Sequence, residues 1–149
     1  MNGSGLLFDL NVWVALAFPS HPHHAAALHG FSQASPSRAA VFCRATEQGF
    51  LRLASTPAVL QLCGAATLTN QDAVAALTRF QSLPNVEFRQ EPVGIVPIWH
   101  RLGGLPSASP KVWMDAYLAA FAISGQLEMV TFDKAFKSYE KDGLQLLLL

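Results

Sequence analysis

The chain has 149 residues, of which 51% are hydrophobic and 13% are charged. This composition excludes an intrinsically disordered protein, and the length suits a single domain over residues 1–149 with a substantial core. Lys and Arg together number 10, as do Asp and Glu, so the net charge does not indicate a protein that holds nucleic acid through phosphate contacts alone. The apolar content fits either a well-filled interior or a surface that another protein covers.

Features that bear on the cellular compartment point to the cytoplasm. The two cysteines, Cys43 and Cys63, lie in apolar surroundings without metal-ligand spacing, which favours buried free thiols. Residues 1–5 lack the basic start of a signal peptide, and no apolar stretch is long enough to span a bilayer. We therefore expect a soluble cytoplasmic protein in a reducing compartment, with no membrane association.

Short apolar runs alternate with helical segments along the whole chain. Residues 6–8 (Leu-Leu-Phe) are too few for a helix and predict a buried strand. In chain order, the predicted elements are a strand over 6–8, helices over 12–18 and 25–31, a strand over 39–42, helices over 43–54, 57–62 and from 70 up to the break at 83–85, a half-exposed strand over 86–90, helices over 94–100 and 111–124, a strand over 127–132, a short helix over 134–139 and a strand over 144–149. This alternation predicts an α/β fold with three α/β/α layers, in which helices cover both faces of a mainly parallel central sheet.

Residues with known preferences for helix ends mark two of the helices. Asn70 is expected to cap one helix, with Asp72 in its first turn. Ser109 is expected to cap the helix over 111–124, with Pro110 at its first position and Gly125 closing it.

Three histidines, His21, His23 and His24, lie around the turn after the first predicted helix. Clustered histidines occur in zinc sites, but no cysteine or carboxylate lies at ligand spacing nearby. We therefore favour turn residues facing solvent.

Four carboxylates lie in apolar segments where a surface role is hard to assign. Asp9 and Asp133 directly follow predicted strands, and Glu47 lies near the start of the helix after the second strand. The carboxyl ends of parallel strands meet at one edge of the sheet, where ligands bind, so these three are expected at the same edge. Asp115 lies in the helix over 111–124, which is apolar nearly all round and is therefore expected to be buried.

A group of buried carboxylates requires compensation by a cation. Mutual repulsion raises their pKa values unless a divalent ion joins them, and oxygen ligands suit Mg²⁺ or Mn²⁺. Such a site can catalyse phosphodiester hydrolysis. For each residue singly, a helix cap or a buried ion pair explains the carboxylate equally well, and Asp9 in particular precedes a helix that it could cap.

Other polar and aromatic positions have weaker functional signals. Arg44 and Arg52 lie on one helix face with Gln48 and could contact an RNA backbone, although Arg44 could instead pair with Glu47. The large aromatic residues fall mostly at core spacing and are assigned no base-stacking role: Trp13, Phe18, Trp99, Trp113 and Phe121.

Taken together, these segments resemble the PIN-domain ribonucleases, specifically the VapC-type toxins of bacterial toxin–antitoxin pairs. The stretches that carry the resemblance are Leu6-Leu7-Phe8-Asp9-Leu10-Asn11-Val12, Thr46-Glu47-Gln48-Gly49-Phe50-Leu51-Arg52, Asp115-Ala116-Tyr117-Leu118-Ala119 and Thr131-Phe132-Asp133.

The resemblance implies a function and a set of partners. It implies that the acids of these motifs hold Mg²⁺ or Mn²⁺ and cleave RNA, with two polar residues supporting them: Asp9, Glu47, Asp115 and Asp133 as catalytic metal ligands, and Asn11 and Thr131 as their support. It also implies a homodimer, possible larger assemblies, and a VapB-type antitoxin that wraps the toxin and blocks its site.

One position departs from the family pattern. Met114 stands where the family usually has a small hydroxyl residue just before the third acid, which puts full activity or metal affinity in doubt. Two alternatives therefore stay open: a catalytically silent PIN-like module that acts by binding a protein, and a structure-specific DNA nuclease of related architecture. The small size and the absence of a basic surface speak against the DNA nuclease.

Overall fold

Short apolar runs form the strands of one sheet. The computed structural model describes residues 5–149; residues 1–4, on which most of the signal-peptide expectation depends, lie outside the described residues. The strands are β1 (Leu6–Phe8), β2 (Ala40–Phe42), β3 (Val86–Phe88), β4 (Glu128–Thr131) and β5 (Gln145–Leu148). They lie in the order β3-β2-β1-β4-β5, and every neighbouring pair is parallel. The predicted α/β fold with a parallel sheet is confirmed.

The chain order creates a crevice at the middle of the sheet. From β1 the chain proceeds to β2 and β3 on one side, and then crosses to β4 and β5 on the other side. In open α/β sheets, ligands bind outside the carboxyl ends of the strands at this kind of topological switch. The crevice therefore lies between the carboxyl ends of β1 and β4.

Helices fill the connections between the strands. Their bounds are α1 (Leu10–Ala17), α2 (His24–Phe31), α3 (Arg44–Ala54), α4 (Pro57–Leu62), α5 (Asn70–Gln81), α6 (Ile95–Gly103) and α7 (Val112–Gly125), with a 3₁₀ segment over Lys134–Asp142. All the predicted elements are present. Most bounds differ from the predicted ones by one or two residues, while α6 and the 3₁₀ segment each extend three residues further along the chain.

The predicted cap of α5 is wrong by one residue. Thr69 is the capping residue, because its hydroxyl accepts from the Asp72 N–H at 3.1 Å while the Asp72 carboxylate accepts from the Thr69 N–H at 2.8 Å. Asn70 is the first residue within the helix. This reciprocal capping box satisfies two backbone donors that the helix itself leaves unpaired.

The predicted ends of α7 are also wrong. The helix begins at Val112 with Lys111 as its N-cap, and Ser109 contributes only its carbonyl, which accepts from the Val112 N–H at 3.1 Å. At the other end Gly125 remains helical, and Gln126 adopts the left-handed conformation with φ 54°. A non-glycine residue can close a helix in this way, although glycine does so at lower cost.

The sheet separates two apolar cores. Leu6 and Phe8 point into one core and Leu7 into the other, as the two-residue period of a strand requires. In the first core Trp13 is fully buried and stacks on Phe42, with ring centroids 3.8 Å apart and planes inclined by 10°. Among residues 5–149, no helix is both long and apolar enough to cross a bilayer.

We expect Trp13→Ala to lower the free energy of unfolding by about 3–5 kcal/mol, because it removes a fully buried ring and leaves a cavity. Trp13→Phe is the matched control: it keeps an aromatic ring against Phe42 and removes the indole N–H, which is buried without a hydrogen-bond partner. Urea unfolding monitored by circular dichroism measures both variants. Equal losses in the two variants would contradict the stacking argument.

Candidate active site

Two strand ends place two of the predicted acids beside each other. Phe8 of β1 pairs with Val130 of β4, and the Asp9 N–H continues the pairing by donating to the Val130 carbonyl at 2.9 Å. Asp9 therefore lies next to Thr131, two residues before Asp133. The sheet register alone brings these side chains to the crevice between β1 and β4.

Asp9 caps a helix and at the same time faces the crevice. One carboxylate oxygen accepts from the Leu10 N–H at 2.8 Å, and the other accepts from the Thr131 hydroxyl at 2.8 Å. The residue is only 6% exposed, and burial raises the pKa of Asp9 above its ordinary value of 3.8 in spite of these hydrogen bonds; the charge of Asp133 raises it further. The capping interpretation is thus correct, and it does not exclude a role in the site.

Thr131 links Asp9 to Asp133. Its hydroxyl donates to Asp9 and also accepts from the Asp133 N–H at 3.0 Å. The Asp133 carboxylate accepts from the Ala135 N–H at 2.8 Å and is otherwise open to solvent, since the residue is exposed. Thr131 itself is fully buried, so its position is fixed and it holds the two acidic residues in register.

Asp115 comes from the first turn of α7 and completes a group of three acids. Burial, together with the charges of Asp9 and Asp133, raises the pKa of Asp115 from 3.8 to about 6. The side chain is only partly buried, because the first turn of α7 is exposed: Trp113 is 43% and Met114 48% exposed. The expectation that this helix is buried along its whole length, and that Trp113 belongs to the core, is wrong.

Glu47 is buried at 7% exposure and is held by partners from two helices. One carboxylate oxygen pairs with Arg44 and the other accepts from the Gln81 amide of α5. The packing of α3 against α1 positions this turn, since a Cβ on Gly49 would lie 2.7 Å from Leu10 Cδ2. The ion pair that the sequence offered as the alternative for Arg44 is therefore present, and Glu47 has a charge partner of its own.

The donor set fits a divalent cation, although the acids are not assembled around one. All the candidate ligands are carboxylate oxygens, as Mg²⁺ and Mn²⁺ prefer. Burial and then repulsion from Asp9 and Asp133 raise the pKa of Asp115, and a bound cation would offset both effects. Among residues 5–149, no three His, Cys, Asp or Glu side chains are close enough together to hold a metal ion as they stand. Metal binding would therefore require the acids to move closer together.

The remaining predicted residues lie at more peripheral positions. Asn11 is exposed in the first turn of α1, and the Arg44 guanidinium lies over the Phe88 ring at 4.6 Å from its centroid. Arg52 lines a separate pocket between α3 and α5 together with Asn70 and others. This position fits a surface residue better than one that contacts RNA beside the acids.

The histidines and cysteines behave as structural residues. A ring nitrogen of His24 lies 2.7 Å from the Ala15 carbonyl, and His21 Nδ1 accepts from the His23 N–H at 3.0 Å. No zinc site forms among these residues within the part of the chain that is described. Cys43 and Cys63 are buried free thiols, as predicted.

Sequence reasoning missed two residues near the acids. Gln81 reaches Glu47 from a helix that is 34 positions further along the chain, and no local pattern signals this contact. Tyr139 is within range of the charge of Asp115. Burial, and then this charge, raise the pKa of the Tyr139 phenol. The only sequence signal for Tyr139 was its position in a short predicted helix that begins directly after Asp133.

Comparison with known proteins gives consistent matches over nearly the whole chain. The PIN domain family matches residues 6–142. Ribonuclease VapC41 of Mycobacterium tuberculosis is 42% identical over 97% of this chain and 98% of its own, and Ribonuclease VapC39 of the same organism is 33% identical over 93% and 95%.

Solved structures share the fold at low sequence identity. VapC20 of M. tuberculosis, a toxin that cleaves the sarcin–ricin loop, superposes with a TM-score of 0.63 at 15% identity over 94% of this chain and 96% of its own. VapBC-1 of nontypeable Haemophilus influenzae gives 0.62 at 17% identity over 96% of each chain.

We expect Thr131→Val to lower the free energy of unfolding by about 1–3 kcal/mol, because the Asp133 N–H and one Asp9 oxygen lose a buried partner. The cost should become smaller as the pH falls below the pKa of Asp9, since the lost hydrogen bond favours the ionised form of that carboxylate. Thr131→Ser keeps the hydroxyl and should show little of this pH dependence. Urea unfolding across the pH range measures the difference, and a cost independent of pH in Thr131→Val would contradict this assignment.

We expect Asp115 to add stability to the metal-free protein as the pH falls from 7 to about 4. The folded state takes up a proton on Asp115 near pH 6, whereas the unfolded chain does so only near 3.8, so protonation favours folding in this window. The side chain is partly exposed and solvent screens its charge, so the gain is on the order of 1 kcal/mol or less.

Asp115→Asn should reduce this gain, as thermal melts across the pH range would show. Asp72→Asn is the opposite control, because hydrogen bonds from Thr69 lower the pKa of Asp72 and its contribution is lost on acidification. The variant Asp72→Asn should therefore gain more than the wild type at low pH. A difference in stability between Asp115→Asn and the wild type that is the same at pH 7 and at pH 5 would contradict the raised pKa of Asp115.

Proposed function

Because the chain belongs to the PIN-domain family and is closely related to VapC ribonucleases, we propose that it is a metal-dependent endoribonuclease that acts as the toxin of a toxin–antitoxin pair. The observation that carries this proposal is the convergence of Asp9, Asp115 and Asp133 on the crevice between β1 and β4. Burial, together with the charges of Asp9 and Asp133, raises the pKa of Asp115 to about 6. A protein gains no stability from such a group, so a function that uses it is the better explanation.

The side chains of the crevice have distinct roles in this proposal. Asp9 is the most firmly held acid, fixed by Thr131 and the Leu10 N–H, and it would anchor the cation. Asp115 and Asp133 are more exposed and would complete the ligand set as they approach it. Bound Mg²⁺ or Mn²⁺ would supply Lewis-acid stabilisation of phosphate oxygens and activation of water.

Glu47 would act from the next helix. Its partners Arg44 and Gln81 hold it in a buried position, and a carboxylate held in this way can orient a water molecule or bind a cation through water. Arg44 is itself exposed and could contact an RNA phosphate while it remains paired with Glu47.

The lysines offer a further means to hold RNA although the chain has no net charge. All four lysines of the sequence, Lys111, Lys134, Lys137 and Lys141, lie between residues 111 and 141 and are exposed. Lys111 directly precedes α7 and Lys134 directly follows Asp133. Lys111 and Lys134 are thus near Asp115 and Asp133 in the sequence and could contact phosphates of a bound strand.

The partners and the compartment follow from the same family membership. We propose that a VapB-type antitoxin binds this chain, since the solved relatives with the same fold include VapBC complexes from Haemophilus influenzae and Rickettsia felis. A homodimer, and possibly a larger toxin–antitoxin assembly, is part of this proposal. An RNA substrate and two free cysteines agree with action in the cytoplasm.

One observation favours a second candidate function, a silent PIN-like module that acts by binding a protein. Among residues 5–149, the acids are not close enough together to hold an ion without movement. Met114 also places an exposed thioether, which is a poor partner for a metal-bound water or a phosphate, beside Asp115. No feature of the described residues favours the DNA nuclease.

We expect Asp9→Asn and Asp115→Asn each to reduce Mn²⁺-dependent cleavage of single-stranded RNA by at least about 100-fold, because each removes a charged ligand. Both variants should remain folded, since each removes a charge whose burial is unfavourable. Glu140→Gln, which neutralises an exposed carboxylate in the 3₁₀ segment, is the matched control and should cleave like the wild type. Gel-based cleavage of labelled RNA, with circular dichroism to verify folding, measures the effect.

Calorimetric titration with Mn²⁺ separates the two candidate functions. The ribonuclease should bind the ion, and Asp115→Asn should bind it more weakly. Absence of Mn²⁺ uptake by the wild type at millimolar concentration, or unchanged RNA cleavage by both Asp variants, would favour the protein-binding module.

A further inference from the structure

An open groove lies at the start of α7, the helix that carries Asp115. It has a volume of about 420 Å³, and its walls come from α6, the first two turns of α7 with the residue Pro110 before them, and the start of α3: Ala45, Trp99, Pro110, Trp113, Met114 and Tyr117. Met114 of this groove is followed directly by Asp115, so the groove and the acids share the first turn of one helix.

The aromatic rings of the groove are held in fixed orientations. The Trp99 indole N–H donates to the Trp113 carbonyl at 3.0 Å, and Trp99 packs edge-to-face against Trp113 and Tyr117 with ring centroids 6.0 and 5.4 Å apart. The Tyr117 hydroxyl donates to Glu91 at 2.7 Å. Because these contacts already order the rings, binding of a ligand costs little further side-chain entropy.

Trp113 is positioned by a glycine on the neighbouring helix. A Cβ on Gly103 would lie 2.6 Å from Trp113 Cε3 and 2.7 Å from Cζ3, which no real contact tolerates. The indole therefore lies directly against the backbone of α6 and still leaves 43% of the residue exposed. A large aromatic side chain that is fixed on one side and exposed on the other is suited to stacking.

We propose that this groove binds one unpaired nucleobase of the RNA, next to the phosphate that is cleaved. This inference rests on the proposed ribonuclease function and extends it, because it assigns a substrate-binding role to Trp113 and Met114. It implies that the substrate is single-stranded at this position, since a base within a duplex cannot enter an aromatic groove. The exposed methionine, which departs from the family pattern, then forms part of the wall of the base site.

Charge and continuity favour a base over other occupants. The chain has ten basic and ten acidic residues, so phosphate contacts alone give limited affinity, and stacking on aromatic side chains supplies binding energy that is independent of charge. The groove is apolar, whereas the residue that follows Met114 in α7 is Asp115, one of the acids proposed to bind metal and phosphate. An apolar site directly beside a phosphate site matches the alternation of base and phosphate along a nucleotide chain.

The test combines changes in the RNA with changes in the protein. A short fluorescein-labelled single-stranded RNA that the wild type cleaves is prepared with an abasic nucleotide at each position in turn, and binding is measured by anisotropy in buffer with EDTA, so that no cleavage occurs. Wild type, Trp113→Ala, Trp113→Phe and Leu62→Ala are compared. Leu62→Ala is the matched control, since Leu62 is 80% exposed and lies in α4, outside the groove.

We expect the abasic nucleotide to weaken binding to the wild type by about 5- to 100-fold at one position beside the cleaved bond. Trp113→Ala should weaken binding of the intact RNA by a similar factor and should lose no further affinity at that abasic position. Trp113→Phe should retain much of the binding, because it keeps a stacking ring, and Leu62→Ala should bind like the wild type. If Trp113→Ala does not fold, Met114→Ala should give the same pattern with a smaller factor.

Three results would overturn the base site. If the folded groove variants bind intact RNA like the wild type while the wild type cleaves RNA, the site is wrong and the ribonuclease function stands. If RNA binding is unchanged but Trp113→Ala loses self-association or a co-expressed antitoxin, the groove belongs to a protein partner. If the wild type neither binds nor cleaves any RNA, the proposed function fails and the base site fails with it.

Discussion

The hydrogen bond from the Thr131 hydroxyl to the Asp9 carboxylate is the interaction on which the site depends. It joins the carboxyl ends of β1, the central strand, and its neighbour β4. The chain builds the sheet on one side of β1 before it crosses to β4 on the other side. The same hydroxyl accepts the Asp133 N–H, so one buried side chain sets the positions of two acids. Because Thr131 is fully buried and its partners lie in a parallel register, the arrangement persists only while the sheet is intact.

Electrostatic repulsion among Asp9, Asp115 and Asp133 destabilises the folded protein. Asp115 comes from α7, and burial together with the charges of Asp9 and Asp133 raises its pKa to about 6. Glu47, by contrast, is compensated by Arg44 and Gln81. The four acids that the sequence grouped together thus divide into three that repel one another and one that is already neutralised, which suggests different roles for the two kinds.

The fold was largely predictable, and its details were not. Apolar runs such as residues 6–8 are too short for helices, and their alternation with helical segments allowed few arrangements other than a covered parallel sheet. The caps of α5 and α7 were misplaced because several adjacent polar residues can cap a helix, and the geometry of the preceding loop selects among them. The exposure of Trp113 escaped prediction because an apolar helix shows no period from which a free face could be identified.

The sequence by itself determined the order of the strands and helices along the chain, the family resemblance and the choice of four candidate acids, because these depend on local residue types and spacing. Tertiary structure decided which acids interact, that Gln81 reaches Glu47, and that Trp99, Trp113 and Tyr117 line a groove beside Asp115. These contacts join residues far apart along the chain. They follow from strand register and from how closely two helices can approach at Gly49 and Gly103, and no local pattern in the sequence records either quantity.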